Sequence, residues 1–473
     1  MAVSRRTFVK GALGASGALV LGSRLAESES AGAATLASTT AASTPLPAPA
    51  ASGIEHVVVV MMENRSFDHF LGWLPNANGR QGGLSYADPL GTLHPTYHQS
   101  QLNGCGFRDP DHSYQGGRLQ YNGGHANGFL MDPANDAYAI SYYTARDRPF
   151  MSSLALNYTT CDHYFCSILG PTYPNRFFQH SAATDRLDNT TTVSTMPTIW
   201  DRLNQPGGPT GRYYFSDLPF LALWGPKYLS IADHYSQFLT DAAAGRLPNV
   251  SFIDPRFEDE GSGTSGDDHP LADIRAGDAF LSEIFHALAS GPQWSNTVLV
   301  VNYDEWGGFF DHVVPPRITA AVPIGASPGS GVDTDLNPAG KVLAGFRVPC
   351  IVASPFTKGN PLHPSVTHGM YDHTSVLKLI EWRWGLRPLT QRDASTASTD
   401  PGNLATALRF GRPDPTVPAL PNLGPFVFAG CSASVPGGGG VGAPPPPTAS
   451  TSGASERDTW AALKSTSLLA GWT

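Results

Sequence analysis

The chain of 473 residues contains no internal apolar run of the roughly 18 residues a bilayer-spanning helix needs, so no transmembrane span is expected. It is also poor in charge. Only 15% of residues are charged, and 39 acidic against 30 basic residues give a formal net charge of −9. Without a basic excess to displace counterions from a phosphate backbone, nucleic acid is not an expected partner. The five cysteines, Cys105, Cys161, Cys166, Cys350 and Cys431, form no CxxC pair, which argues against a zinc knuckle. Being odd in number, they leave at least one thiol outside any intramolecular disulfide. An oxidising compartment would permit Cys161–Cys166 or another pair, and spacing alone assigns none. No internal repeat is detectable. What the chain does have is Gly 50 and Pro 41 beside 41% hydrophobic residues. That composition is globular and loop-rich, and it excludes coiled coil, collagen and general disorder.

The N-terminus reads as an address. Ser4-Arg5-Arg6-Thr7-Phe8-Val9-Lys10 precedes a weakly apolar run, Gly11 to Leu21, and an Ala-x-Ala-like site near Ala31-Gly32-Ala33. This resembles a twin-arginine export signal, occupying residues 1–34, and implies the twin-arginine machinery as a partner and a periplasmic, wall-associated or secreted destination. Residues 35–53 are mostly Ala, Ser, Thr and Pro, a composition that cannot bury enough apolar surface to order itself, and read as a linker. Residues 436–455 form a second, Gly/Pro-rich linker. A short tail, 456–473, follows, with a helix expected over Glu456 to Leu469. Between the linkers lies a single body, residues 54–435.

Within that body Ile54 to Met62, Thr297 to Tyr303 and Val348 to Ser354 are nearly continuous apolar runs of the kind that forms strands buried on both faces. Ala276 to Leu288 and Tyr371 to Trp384 read as helices. Strands alternating with helices predict an α/β sandwich, a central, largely parallel sheet with helices on both faces, whose ligands gather beyond the carboxyl ends of the strands. Two of the runs lead straight into polar clusters, Glu63-Asn64-Arg65-Ser66 and Asp304-Glu305.

Three carboxylates and an amide oxygen, from Glu63, Asn64, Asp304 and Glu305, make a hard donor set suited to a divalent cation, with calcium, magnesium or manganese favoured over zinc. Taken singly, the first pair would serve equally as a helix cap and the second as a solvated turn. Gly170-Pro171-Thr172-Tyr173-Pro174-Asn175-Arg176 places a hydroxyl between prolines, followed by an Asn and an Arg able to hold phosphate oxygens. It is a candidate nucleophile loop, although Pro-Thr-x-Pro turns are common. His112, His269, His312 and His373 each follow an acidic residue directly, a pattern suited to metal, phosphate or proton-transfer roles.

Taken together, IEHVVVVMMENRSFDHFLG at Ile54 to Gly72, DPDHSY at Asp109, GPTYPNRFFQHSA at Gly170, DDHP at Asp267, VNYDEWGGFFDHVVPP at Val301, FRVPCIVASPF at Phe346 and YDHTSVLKLIEWRWG at Tyr371 resemble, in order, the motifs of the phosphoesterase family. That family contains bacterial and plant phospholipases C and bacterial acid phosphatases. The resemblance implies an alkaline-phosphatase-like α/β fold. It also implies Glu63, Asn64, Thr172, Asp304 and Glu305 as metal ligands, Thr172 as nucleophile, and His112 and His269 as phosphate contacts or proton donors. Asp268, Asn175, Arg176, His312 and His373 would be supporting residues. Trp306 departs from the family, many of whose members carry a polar residue after Asp-Glu, and is expected to reshape the pocket or its surroundings.

The implied activity is that of an exported, metal-dependent phospholipase C cleaving a phosphodiester such as phosphatidylcholine through a phosphothreonine. The alternative is an acid phosphatase acting broadly on small phosphate monoesters. The short tail, where long haemolytic members have extra domains, raises the standing of that alternative. A sulfatase is disfavoured because Thr172 stands where a Cys or Ser would have to mature to formylglycine. A non-catalytic wall- or lipid-binding protein would have no need of all five ligand positions.

Overall fold

The computed structural model describes residues 45–324, 332–333, 335–431 and 459–472. The expected export signal at 1–34 and the expected linker at 436–455 lie outside the described residues.

The centre is an eight-stranded sheet. In chain order its strands are β1 His56–Met62, β2 Thr159–Tyr164, β3 Gly211–Phe215, β4 Ala232–His234, β5 Val250–Asp254, β6 Thr297–Tyr303, β7 Cys350–Ala353 and β8 Ser365–Tyr371. Across the sheet they run β8-β2-β7-β6-β1-β5-β3-β4. All pairings are parallel except the two made by β7, which is antiparallel to both β6 and β2. The expected, largely parallel α/β sheet is therefore what forms. The runs of Val and Ile explain its middle: Val57 to Val60 and Val298 to Val301 are at most 1% exposed, as strands covered on both faces must be.

Helices flank the sheet in two groups. In one group α3 (Pro149–Asn157) packs on α6 (Ile274–Ser290), and α6 on α5 (Tyr235–Ala243); in the other α4 (Thr172–Ser181) packs on α7 (His373–Trp384). Short helices α1 (Phe67–Leu71) and α2 (Tyr114–Tyr121) follow the first strand. Local chemistry sets the helix starts. Ser66, Asp273 and Asp372 each accept a backbone N–H from the first turn of α1, α6 and α7, satisfying donors the helix leaves bare. The disulfide joins Cys105 to Cys431, while Cys161, Cys166 and Cys350 are buried free thiols, so the Cys161–Cys166 option is not the one taken. No helix among the described residues is long and apolar enough to cross a membrane.

The tail docks on the body. Helix α8 (Thr459–Lys464) is followed by a single turn at Ser467–Leu469, and Trp460, Leu463 and Trp472 are buried.

Candidate active site

Strands β1 and β6 are parallel neighbours in a register that pairs Met62 with Tyr303, so the residues after each emerge side by side. The backbone N–H of Asn64 donates to Asp304 Oδ1 at 3.0 Å, and the N–H of Arg65 to the Glu305 carbonyl at 3.0 Å. Asn64 turns the chain with a left-handed φ of 58°. The facing loop can approach because Gly307 is a glycine: a Cβ there would stand 1.9 Å from the Asn64 carbonyl oxygen. Strand β5, on the other side of β1, ends at Asp254 and completes a row of three strand ends.

Thr172 is the first residue of α4, whose N-terminal dipole favours negative charge. Its Oγ1 donates to Asn64 Oδ1 at 3.3 Å. Asn64 Nδ2 in turn donates to His112 Nε2 at 3.2 Å, while His112 Nδ1 donates to the Pro110 carbonyl at 2.8 Å, an arrangement that fixes one imidazole tautomer. The His112 and His269 rings meet edge to face at 6.2 Å. Both histidines lie near Asp109, at 4.0 and 3.5 Å. Burial, with His112 as a second cause, pushes His269 well below the usual imidazole range. Glu63, Asn64, Thr172, His112, His269, Asp304 and Glu305 are all at most 1% exposed.

The structure thus brings Glu63, Asn64, Thr172, Asp304 and Glu305 to one place, and adds two carboxylates that sequence reasoning missed. Glu63, Glu260 and Asp267 each offer an oxygen within 4.8 Å of the others. Asp267 belongs to the same DDHP motif as Asp268, and the two point differently. Asp268, at φ 78°, pairs with Arg148 at 2.9 Å and accepts from the Tyr303 hydroxyl at 2.6 Å, which makes it a brace for the loop.

Arg176 and Asn175 do not hold themselves out for phosphate oxygens. Arg176 is buried and donates to Glu63 and Asp304 (both 3.2 Å), Asp254 (3.3 Å) and the Met61 and Met62 carbonyls. Asn175 donates to the carbonyls of Ile168, Gly170 and Pro171, folding the loop that carries Thr172. Both are supports. His373 donates Nε2 to the Asp304 carbonyl at 2.7 Å, and burial depresses it to about 4, so it braces a ligand loop. His312 belongs to a different cluster, beside Asp68 and Asn78.

The acids preceding these histidines are committed elsewhere. Asp111 takes the Ser113 N–H, Asp268 faces Arg148, Asp311 faces Arg347, and Asp372 takes the Thr374 N–H. Trp306 is fully buried, with its indole N–H donated to Gln120 at 2.6 Å, so it anchors α2 behind the site rather than lining an opening.

Electrostatically the site is starved of positive charge. Burial, then Glu63 and Asp267, raise Glu260; burial, then Glu63, raise Asp267; and burial raises Asp304 to about 7 although Arg176 opposes the shift. Glu305 is likewise raised by burial, against His112. Glu63 Oε2, both Glu260 oxygens, Asp267 Oδ2 and Glu305 Oε1 are buried with no hydrogen-bond partner among the described residues. Orphaned, hard oxygens, with Glu63, Glu260 and Asp267 each offering one within 4.8 Å of the others, fit a divalent cation, which would stabilise the ionised form of each.

The sequence model of the Phosphoesterase family matches residues 54–387. "Phospholipase C B" of Mycobacterium tuberculosis (strain ATCC 25618 / H37Rv) is 33% identical over 437 residues, covering 78% of this chain and 80% of that protein. "Non-specific phospholipase C1" of Arabidopsis thaliana is 33% identical over 374 residues, covering 72% and 69%. Among solved structures, a protein in the alkaline phosphatase superfamily from Vibrio parahaemolyticus is 11% identical over 74% of this chain and 70% of that one, with a TM-score of 0.32.

Proposed function

The chain belongs to the phosphoesterase family and is a hydrolase of phosphoric esters, and from that premise we propose that it is a phospholipase C-type enzyme using Thr172 as nucleophile beside a divalent cation. The observation that carries the reading is the convergence of bare carboxylate oxygens with the Thr172 hydroxyl at the ends of adjacent parallel strands. The names of the relatives favour a phosphodiester, such as phosphatidylcholine, over a monoester.

Glu63, Asn64, Thr172, Asp304 and Glu305 would hold the cation, with Glu260 and Asp267 adding negative charge beside Glu63. When bound, the cation supplies Lewis acidity and screens the anionic phosphate. Thr172 Oγ1, aimed by Asn64, attacks phosphorus, and the N-terminus of α4 stabilises the charge that develops there. The His112 and His269 pair takes the threonine proton and returns it to the departing glycerol oxygen as the phosphorus–oxygen bond breaks, releasing diacylglycerol. Water then cleaves the phosphothreonine, restores the hydroxyl and frees the phosphorylated head group. We also propose export: Arg5 and Arg6, outside the described residues, support the twin-arginine reading, and their replacement by Lys is expected to retain folded protein inside the cell.

The test is a side-by-side assay of cation-loaded protein on phosphatidylcholine, a phosphocholine diester and a simple monoester, with a chelated control. Diester turnover that chelator abolishes and calcium, magnesium or manganese restores is the expected result. Turnover confined to the monoester would favour the acid phosphatase reading, and full activity in protein shown metal-free by elemental analysis would remove the cation.

A further inference from the structure

The tail reaches the site itself. Trp460, 1% exposed, donates its indole N–H to Glu63 Oε1 at 3.1 Å. The indole stacks on Phe257 with ring centroids 3.8 Å apart and planes 8° from parallel. The Arg176 guanidinium lies over the Phe257 ring at 4.6 Å and over Trp460 at 5.7 Å. Docking is specified next to the nucleophile loop: the Tyr173 hydroxyl donates to the Thr459 carbonyl at 2.9 Å, and the Tyr173 and Trp460 rings meet at 5.4 Å.

These contacts divide the two oxygens of Glu63. Oε1 receives Trp460 Nε1 and two nitrogens of Arg176 at 3.1 to 3.2 Å. Oε2 has no hydrogen-bond partner among the described residues, and Glu63 offers an oxygen to the cluster with Glu260 and Asp267. One oxygen is saturated with donors and the other is presented. A carboxylate held this way loses little rotamer freedom when it takes up a cation, which is how outer contacts raise the affinity of a metal site.

We infer that Trp460, delivered by the tail, is a positioning residue that fixes the Glu63 carboxylate for cation binding. The inference rests on the reading of Glu63 as a ligand. It makes the tail a working part of the site, where the sequence reveals no purpose for it.

The test uses full-length chains and manganese(II) titrated by calorimetry alongside turnover. Trp460→Phe keeps the aromatic stack and removes only the N–H donor; Trp460→Ala removes both. Trp460→Phe is expected to raise the manganese Kd by about tenfold, the low end for loss of an outer contact to a metal ligand, with kcat recovered at saturating manganese. Trp460→Ala is expected to raise it further. An unchanged Kd in Trp460→Phe, or a turnover loss that saturating manganese leaves in place, overturns the inference. Failure of the wild-type chain to bind any divalent cation overturns instead the functional reading beneath it.

Discussion

Two of the buried acidic clusters among the described residues differ in what satisfies their oxygens. In the first, Asp68 and Asp311 face Arg347. The guanidinium spends its five N–H groups on the two carboxylates and on the carbonyls of Asn78 and Asp162. His312 and the backbone N–H groups of Arg80, Val313 and Asp68 complete the set, so all four carboxylate oxygens have partners. In the second, of Glu63, Glu260, Asp267, Asp304 and Glu305 only Glu63 and Asp304 pair with Arg176, and five oxygens have no partner among the described residues. Both clusters have the donor types of a metal site. Only the second leaves oxygens bare for a cation. The first carries its own cation and is a structural brace, which also explains why His312, in a motif that resembles the family's, stands apart from the nucleophile.

The largest effect that tests this contrast is on turnover. If the bare cluster is the working one, Thr172→Ala lowers kcat by on the order of 10³-fold or more, as loss of a covalent nucleophile does. Melting temperature should hardly move, because Thr172 Oγ1 contributes one 3.3 Å hydrogen bond. Thr172→Ser keeps the attacking oxygen and retains part of the activity. Phosphate mapped by mass spectrometry to Thr172 after quenching during turnover supports the covalent route, and undiminished turnover in Thr172→Ala would falsify it.

That contrast was half legible beforehand. Glu63-Asn64 and Asp304-Glu305 announce themselves because each follows a run of buried Val and Ile, and a strand end in a parallel sheet is where ligands collect. Glu260 and Asp267 lie in a loop with neither apolar period nor fixed facing. Nothing local says that Asp267 turns to Glu63 while Asp268 turns to Arg148. Strand β2, reading Thr-Thr-Cys-Asp-His-Tyr, is hidden for a related reason. Its Asp162 and His163 look solvent-facing until Asn78 and His368 supply partners for them. Trp460 meets Glu63 across 397 positions, a contact that only the folded chain creates.

The second test compares stability in cation-free protein. Arg347→Met leaves Asp68 and Asp311 buried without their cation and should cost about 3–5 kcal/mol, read as a large fall in denaturation midpoint. Glu260→Gln removes a charge from the starved cluster, where Glu63 and Asp267 already oppose its ionisation. It should leave cation-free stability unchanged or raise it, while weakening manganese binding. Two losses of similar size would mean that the clusters do not differ as described.

The smallest effect is a pH dependence, and its sign follows from Asp304. Burial holds this carboxyl at about 7 in the folded, cation-free chain, against about 3.9 for an unfolded Asp. Between those values the folded state binds more protons than the unfolded one, so this group's contribution falls as pH rises, by no more than about 1.4 kcal/mol per pH unit. A bound cation needs the ionised carboxylate and removes that preference. Asp311, which burial raises to about 6 in spite of Arg347, tilts both the cation-free and the cation-loaded curves alike and cancels in their difference. Denaturation midpoints measured from pH 4 to pH 7 with and without manganese should therefore diverge as pH rises, the loaded protein gaining. Curves that stay parallel would show that Asp304 does not feel the cation, and the distinction between the braced cluster and the bare one would lose its electrostatic basis.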